Sequence, residues 1–225
     1  MCAMKKMKLY LNVLLNTLIA GILISLGGFC FLKISEMGFP GAKVVGALFF
    51  GIELILICNF GFYLYTGKIC YLIDQIKTKN TLCASLSLII GLVGNFIGCY
   101  VAGTLLRYTT GDNLFINAIS EAKINDSMMN LFIKGIFCVM MIYFAVEGFK
   151  ESKHELGKYS ILILCVAGFI VCGYEHCVAN MFYFSIAGSW NVITLVVTLV
   201  VTLVVALGNS VGGIFIPFVR GFIND

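Results

Sequence analysis

The chain has 225 residues, of which 60% are hydrophobic and 12% charged, with a formal net charge of +4. Soluble domains carry about 25% charged residues, so a water-soluble globular domain is excluded and an integral membrane protein is expected. The ten cysteines fall mostly inside apolar runs and read as small free hydrophobes rather than as a disulfide framework.

In chain order, six apolar windows are long enough to cross a bilayer: Leu9–Leu32, Val44–Thr66, Leu82–Leu106, Met128–Ala145, Tyr159–Ile186 and Val192–Phe218. The first lacks a cleavage-site pattern and is much longer than a signal-peptide core, so it is expected to remain as a span. Six spans put both termini on one side. The connections on that side hold Lys5, Lys6, Lys8, Lys68, Lys77, Lys79, Lys150, Lys153, Lys158 and Arg220, against Lys33, Lys43, Arg107 and Lys123 on the other. That bias places both termini in the cytoplasm.

The third and sixth windows share a string, Gly94-Asn95-Phe96-Ile97-Gly98 and Gly208-Asn209-Ser210-Val211-Gly212. Three spans per copy require the second copy to enter the membrane from the opposite side, an inverted repeat of roughly 9–107 and 123–220 within one domain, 1–225. In such folds the substrate site lies at the midplane on discontinuous helices. The fifth window is interrupted by Cys172-Gly173-Tyr174-Glu175-His176-Cys177-Val178-Ala179-Asn180, and the second by Asn59 to Gly67, around Thr66. Non-helical backbone at membrane depth is tolerated only where it is buried in protein or lines a wet cavity. A buried acid and imidazole are costly there and mark a functional site.

These strings resemble one family. Glu175-His176-Cys177-Val178-Ala179-Asn180-Met181, Leu64-Tyr65-Thr66-Gly67 and Leu207-Gly208-Asn209-Ser210-Val211-Gly212-Gly213 are similar, in order and placement, to the signature elements of the formate/nitrite transporter family. The resemblance implies an all-α, aquaporin-like protomer of six transmembrane helices with helices two and five broken. It also implies a homopentamer in the inner membrane of a prokaryote, with one pore per protomer passing formate, nitrite or hydrosulfide. Carried over by position, the pore centre is His176, Thr66, Asn209 and Lys123. The outer constriction is Phe50, Leu54 and Phe169, and the inner one Leu64, Tyr65, Val178 and Ala179. Glu175, Asn180, Gly67 and Gly173 support the helix breaks. Tyr63, Lys68, Val139 and Glu53 depart from the family pattern.

Two ionisable residues inside spans, Glu53 and Lys134, are expected to pair across the bundle, because an unpaired buried charge is expensive. His176 is expected either to pass a proton to the anion or to donate a hydrogen bond to it while neutral, imidazole being the side chain that titrates nearest neutral pH. A metal site on Cys172, Cys177 and His176 is the weaker reading, and no metal, cofactor, enzymatic activity or nucleic-acid partner is expected. The rival within the same protomer plan is a neutral-solute channel of the water or glycerol type, whose paired Asn-Pro-Ala strings this chain lacks.

Overall fold

The computed structural model describes residues 2–78 and 81–224; Lys79, and the side chains of Lys5, Lys6 and Lys77, which enter the charge bias, lie outside the described residues. The fold is all helical: α1 (Cys2–Glu36), α2 (Ala42–Phe50), α3 (Ile52–Phe60), α4 (Tyr65–Lys68), α5 (Leu72–Lys77), α6 (Thr81–Thr110), α7 (Leu114–Ile124), α8 (Met128–Glu151), α9 (Glu155–Val171), α10 (Cys177–Ala187) and α11 (Leu195–Asn224), with a 3-10 turn at Ile69–Tyr71 joining α4 to α5. Among the described residues, five stretches are long and apolar enough to cross a membrane: Met7–Glu36, Ala42–Phe60, Thr81–Thr110, Met128–Glu151 and Leu195–Ile223. The window Tyr159–Ile186 is instead divided between α9 and α10, of 17 and 11 residues.

Two helix pairs form the frame, α1 against α6 and α8 against α11. Both crossings depend on glycine, because a small residue lets two backbones approach closely. A methyl group on Gly98 would strike the Leu18 carbonyl of α1, and one on Gly212 the Ile136 carbonyl of α8. Each repeated G-N-x-x-G string therefore seats its own helix on a partner. Between the pairs lie the shorter helices α2, α3, α9 and α10, and α10 is buried along nearly its whole length, from Cys177 to Ile186.

The stretch after α6 is more ordered than a polar loop. Asn113 caps α7, its side-chain oxygen accepting from the Phe115 and Ile116 N–H groups at 2.9 and 3.1 Å, and this helix carries Lys123 in its last turn. Ser127 caps α8 in the same manner, accepting from Asn130 N–H at 3.2 Å.

The expected pairing of Glu53 with Lys134 does not form. Lys134 lies near the start of α8, so its long stem carries the ammonium back to the helix end, where it meets Asp126 at 2.7 Å. Glu53 is 2% exposed, packs against Gly27 of α1 and has one carboxyl oxygen without a hydrogen-bond partner. Partial burial pushes the Asp126 carboxyl up, but Lys134, the Asn130 amide and the Ser127 N–H outweigh it and hold it below the usual carboxylate range. A carboxyl group lowered in the folded state stabilises above its unfolded value and loses that contribution as pH falls through the folded one. Asp126→Asn is expected to cost about 0.5–1 kcal/mol at neutral pH and to converge with the parent protein as pH falls below the usual carboxylate range and through the lowered folded-state value, as read by thermal unfolding in detergent.

Candidate functional site

Two breaks face each other at the centre. α3 ends on Gly61, whose φ of 71° is left-handed, and α9 is followed by Gly173 at 69°. In both places the next residue's N–H returns to the helix: Phe62 to the Ile57 carbonyl at 3.1 Å, and Tyr174 to the Phe169 carbonyl at 2.9 Å. This is the glycine-terminated helix end that satisfies orphan carbonyls and turns the chain back. Gly67, by contrast, lies inside α4 without a left-handed backbone, so Gly61 and not Gly67 makes the first break.

The next helices start where the breaks end, and an asparagine closes each junction. Asn95 of α6 accepts the Tyr65 N–H at 3.0 Å and donates to the Thr17 and Tyr63 carbonyls at 2.7 and 3.4 Å. Asn209 of α11 accepts the Cys177 N–H at 2.9 Å and donates to the Gly135 and Glu175 carbonyls, both at 2.8 Å. Both asparagines are fully buried. A side-chain amide has one acceptor and two donor hydrogens, enough to stitch the break to the neighbouring helix. Asn209 is thus occupied with backbone and does not stand beside His176 as an open polar group. Asn95, absent from the expected site residues, was signalled by the repeated string itself.

His176 caps α10. Its Nδ1 accepts the Ala179 N–H at 3.1 Å, and its Nε2 lies 2.8 Å from Thr66 Oγ1. An accepting Nδ1 carries no hydrogen, so the neutral ring holds its proton on Nε2 and donates to Thr66. The Thr66 hydroxyl hydrogen is then left for another acceptor. Both residues are buried, and the Phe169 ring stacks on the imidazole with centroids 6.0 Å apart.

His176 lines one cavity, and a second is lined by Leu64 and Gly67, which flank Tyr65 and Thr66 in sequence. One of ≈ 360 Å³ is walled by His176, Phe50, Phe169, Lys123, Ala179 and Tyr183, among others. The other, ≈ 240 Å³, is walled by Leu54, Leu64, Gly67, Lys68, Tyr71 and Lys150, among others. Phe50 and Phe169 meet edge to face at 6.2 Å, whereas Leu54 lines the other cavity. Leu64 lines the second cavity, but Ala179 faces the first, and Val178 is fully buried with its carbonyl accepting from Cys99; the expected inner group of four does not come together. Tyr65 donates or accepts at Ser210 Oγ, 2.7 Å away.

Lys123 lines the same cavity as the imidazole. Its ammonium is held by both Glu175 oxygens at 2.9 and 2.7 Å, and Glu175 also accepts from Asn180 Nδ2 at 2.7 Å. With the Lys123 and Glu175 side chains 15% and 7% exposed, this is a desolvated pair that ties α7 to the second break. Removing one partner strands a buried charge. Lys123→Met or Glu175→Gln alone is expected to cost about 3–5 kcal/mol and the double variant clearly less; additive losses in thermal unfolding would contradict a mutual pair.

The sequence model described as "Formate/nitrite transporter" matches residues 2–221. The formate channel FocA of Haemophilus influenzae is 29% identical over 176 residues, covering 72% of this chain and 62%, under two thirds, of that protein. The nitrite transporter NirC of Escherichia coli is 26% identical over 210 residues, covering 88% of this chain and 78% of the relative. Among solved structures, an FNT family ion channel superposes with a TM-score of 0.87 at 24% identity, covering 96% of this chain and 90% of the other. A pentameric formate channel with formate bound gives 0.81 at 24% identity, covering 96% and 98%. The chain belongs to the formate/nitrite transporter family.

Proposed function

We propose that this protein is a channel, not an enzyme, for small monovalent anions of weak acids such as formate, nitrite or hydrosulfide, built as a homopentamer with one pore per protomer. The single domain is a pair of inverted three-span repeats in which α2–α5 and α9–α10 are the broken second and fifth spans. Both termini lie in the cytoplasm, following the lysine and arginine bias. The family assignment and the pentameric formate channel among its structural neighbours support the anion and the assembly over a neutral-solute channel.

The observation that carries the reading is the buried His176–Thr66 bond between the segments that follow Gly61 and Gly173, with one cavity lined by His176 and another by Leu64 and Gly67. Moving a bare anion into low dielectric costs on the order of tens of kcal/mol in the idealised limit. Taking up a proton costs a carboxylic acid of pKa about 4 roughly 4 kcal/mol at pH 7, so the neutral acid is the form that passes the apolar rings. Of the two roles open to His176, the cap on Ala179 favours the neutral donor: a second proton on Nδ1 has to displace that hydrogen bond. His176 then orients Thr66, whose hydroxyl offers its hydrogen to the anion or its acid. Phe50 and Phe169 form the outer constriction and Leu64 with Tyr65 part of the inner one. Glu175, Asn180, Gly173 and Asn209 hold the second break in shape.

His176→Asn is the informative variant, because asparagine also caps helices and keeps the α10 terminus supported. Purified protein in liposomes, assayed for uptake of formate, nitrite, hydrosulfide and lactate at several pH values, is expected to lose selectivity or change its pH profile with His176→Asn and with Thr66→Ala. A pH profile and selectivity identical to the parent in His176→Asn would remove the imidazole from the mechanism.

A further inference from the structure

The two breaks correspond residue by residue at an offset of 112: Gly61 to Gly173 in the left-handed turn, Tyr63 to Glu175 at the carbonyl bound by asparagine, and Tyr65 to Cys177 at the N–H bound by asparagine. Continuing by the same offset, Lys68 corresponds to Asn180. In the second break these positions form a clasp: the Glu175 carboxylate is held by the Asn180 amide and the Lys123 ammonium. In the first break the corresponding pair is Tyr63 and Lys68, and the ammonium stands 5.5 Å from the centroid of the tyrosine ring. The first break thus has a cation where the second has the Asn180 amide, and an aromatic ring where the second has the Glu175 carboxylate.

Lys68 lines the smaller cavity together with Leu64. The charges around it are unbalanced. Lys150 pairs with Glu147 at 3.1 Å and with the Tyr71 hydroxyl, while Arg220 pairs with Glu151 at 2.6 Å and shares Glu147 at 3.6 Å. Three cations thus meet two carboxylates, and among the described residues Lys68 has no acid within ion-pair distance. The side chain is exposed, so its charge faces the cavity mouth rather than the packed interior. Arg220, near the end of α11, and Leu9 of α1, which shares a crevice with Lys68 and Tyr71, place this mouth on the side of the chain termini.

We propose that Lys68, with Lys150 and the edge of Tyr71, forms an anion-receiving site at the terminal-side mouth for a small carboxylate or oxoanion, which takes the place that the Glu175 carboxylate fills in the other break. The site collects anions from its own side and delivers them to Leu64. On the opposite cavity the corresponding open cation is Lys43, in the first turn of α2, since Lys123 is neutralised by Glu175. This inference rests on the channel reading above.

The test is uptake of formate or nitrite into liposomes, followed with labelled anion so that passage as the anion or as its neutral acid is registered alike. At about 10 mM salt, where the Debye length is about 30 Å, Lys68→Gln is expected to lower the uptake rate about three-fold. At about 1 M salt, where charges are screened beyond about 3 Å, the variant converges with the parent, and Lys68→Arg matches the parent throughout. Parent-like uptake in Lys68→Gln at low salt, or a loss that persists unchanged at about 1 M salt, overturns this site while leaving the channel intact. No uptake of either anion by the parent protein overturns the channel reading and the site with it.

Discussion

A helix that stops inside a packed apolar bundle leaves backbone N–H and C=O groups in need of partners, and here one buried asparagine serves each of the two junctions, after Gly61 and after Gly173. Asn95 and Asn209 each satisfy an amide N–H at the start of a half-helix, a carbonyl within the break and a carbonyl on a neighbouring span. The glycines of the same strings bring those spans close enough for the reach. With the backbone accounted for, the polar groups left at the centre are side chains, and the pair that meets there is His176 and Thr66.

Charge is arranged around this centre by the same economy. Lys123 and Glu175 cancel each other where both are largely buried, and Asn180 holds the remaining carboxylate valence. The termini-side mouth uses aromatic and cationic groups at the equivalent positions. The two junctions therefore share backbone geometry and differ in electrostatics.

Much of the frame was legible in the residues. The repeated G-N-x-x-G string marked the two closing asparagines and the glycine crossings, and the broken apolar windows marked where Thr66 and His176 belong. Ring-by-ring assignments were less legible. Ala179 follows His176 by one helical turn and so faces the same cavity as the imidazole, not the cavity of Leu64. Glu53 and Lys134 looked like partners because both are charges inside apolar windows, yet a lysine near a helix start reaches the end of its own helix more cheaply than the bundle interior. Gly67 and Gly61 sit six residues apart in one break, and only the backbone turn distinguishes which one needs a left-handed conformation.

The tautomer of His176 is set by the fold: the cap on Ala179 that closes α10 also puts the ring proton on the side of Thr66. The chain has two histidines, so protein labelled with nitrogen-15 at histidine gives a spectrum of two rings, and His176→Asn assigns them. The account predicts that at neutral pH His176 is a neutral ring with its hydrogen on Nε2 and an unprotonated Nδ1. A ring protonated on Nδ1, whether as the other tautomer or as the imidazolium, would contradict it.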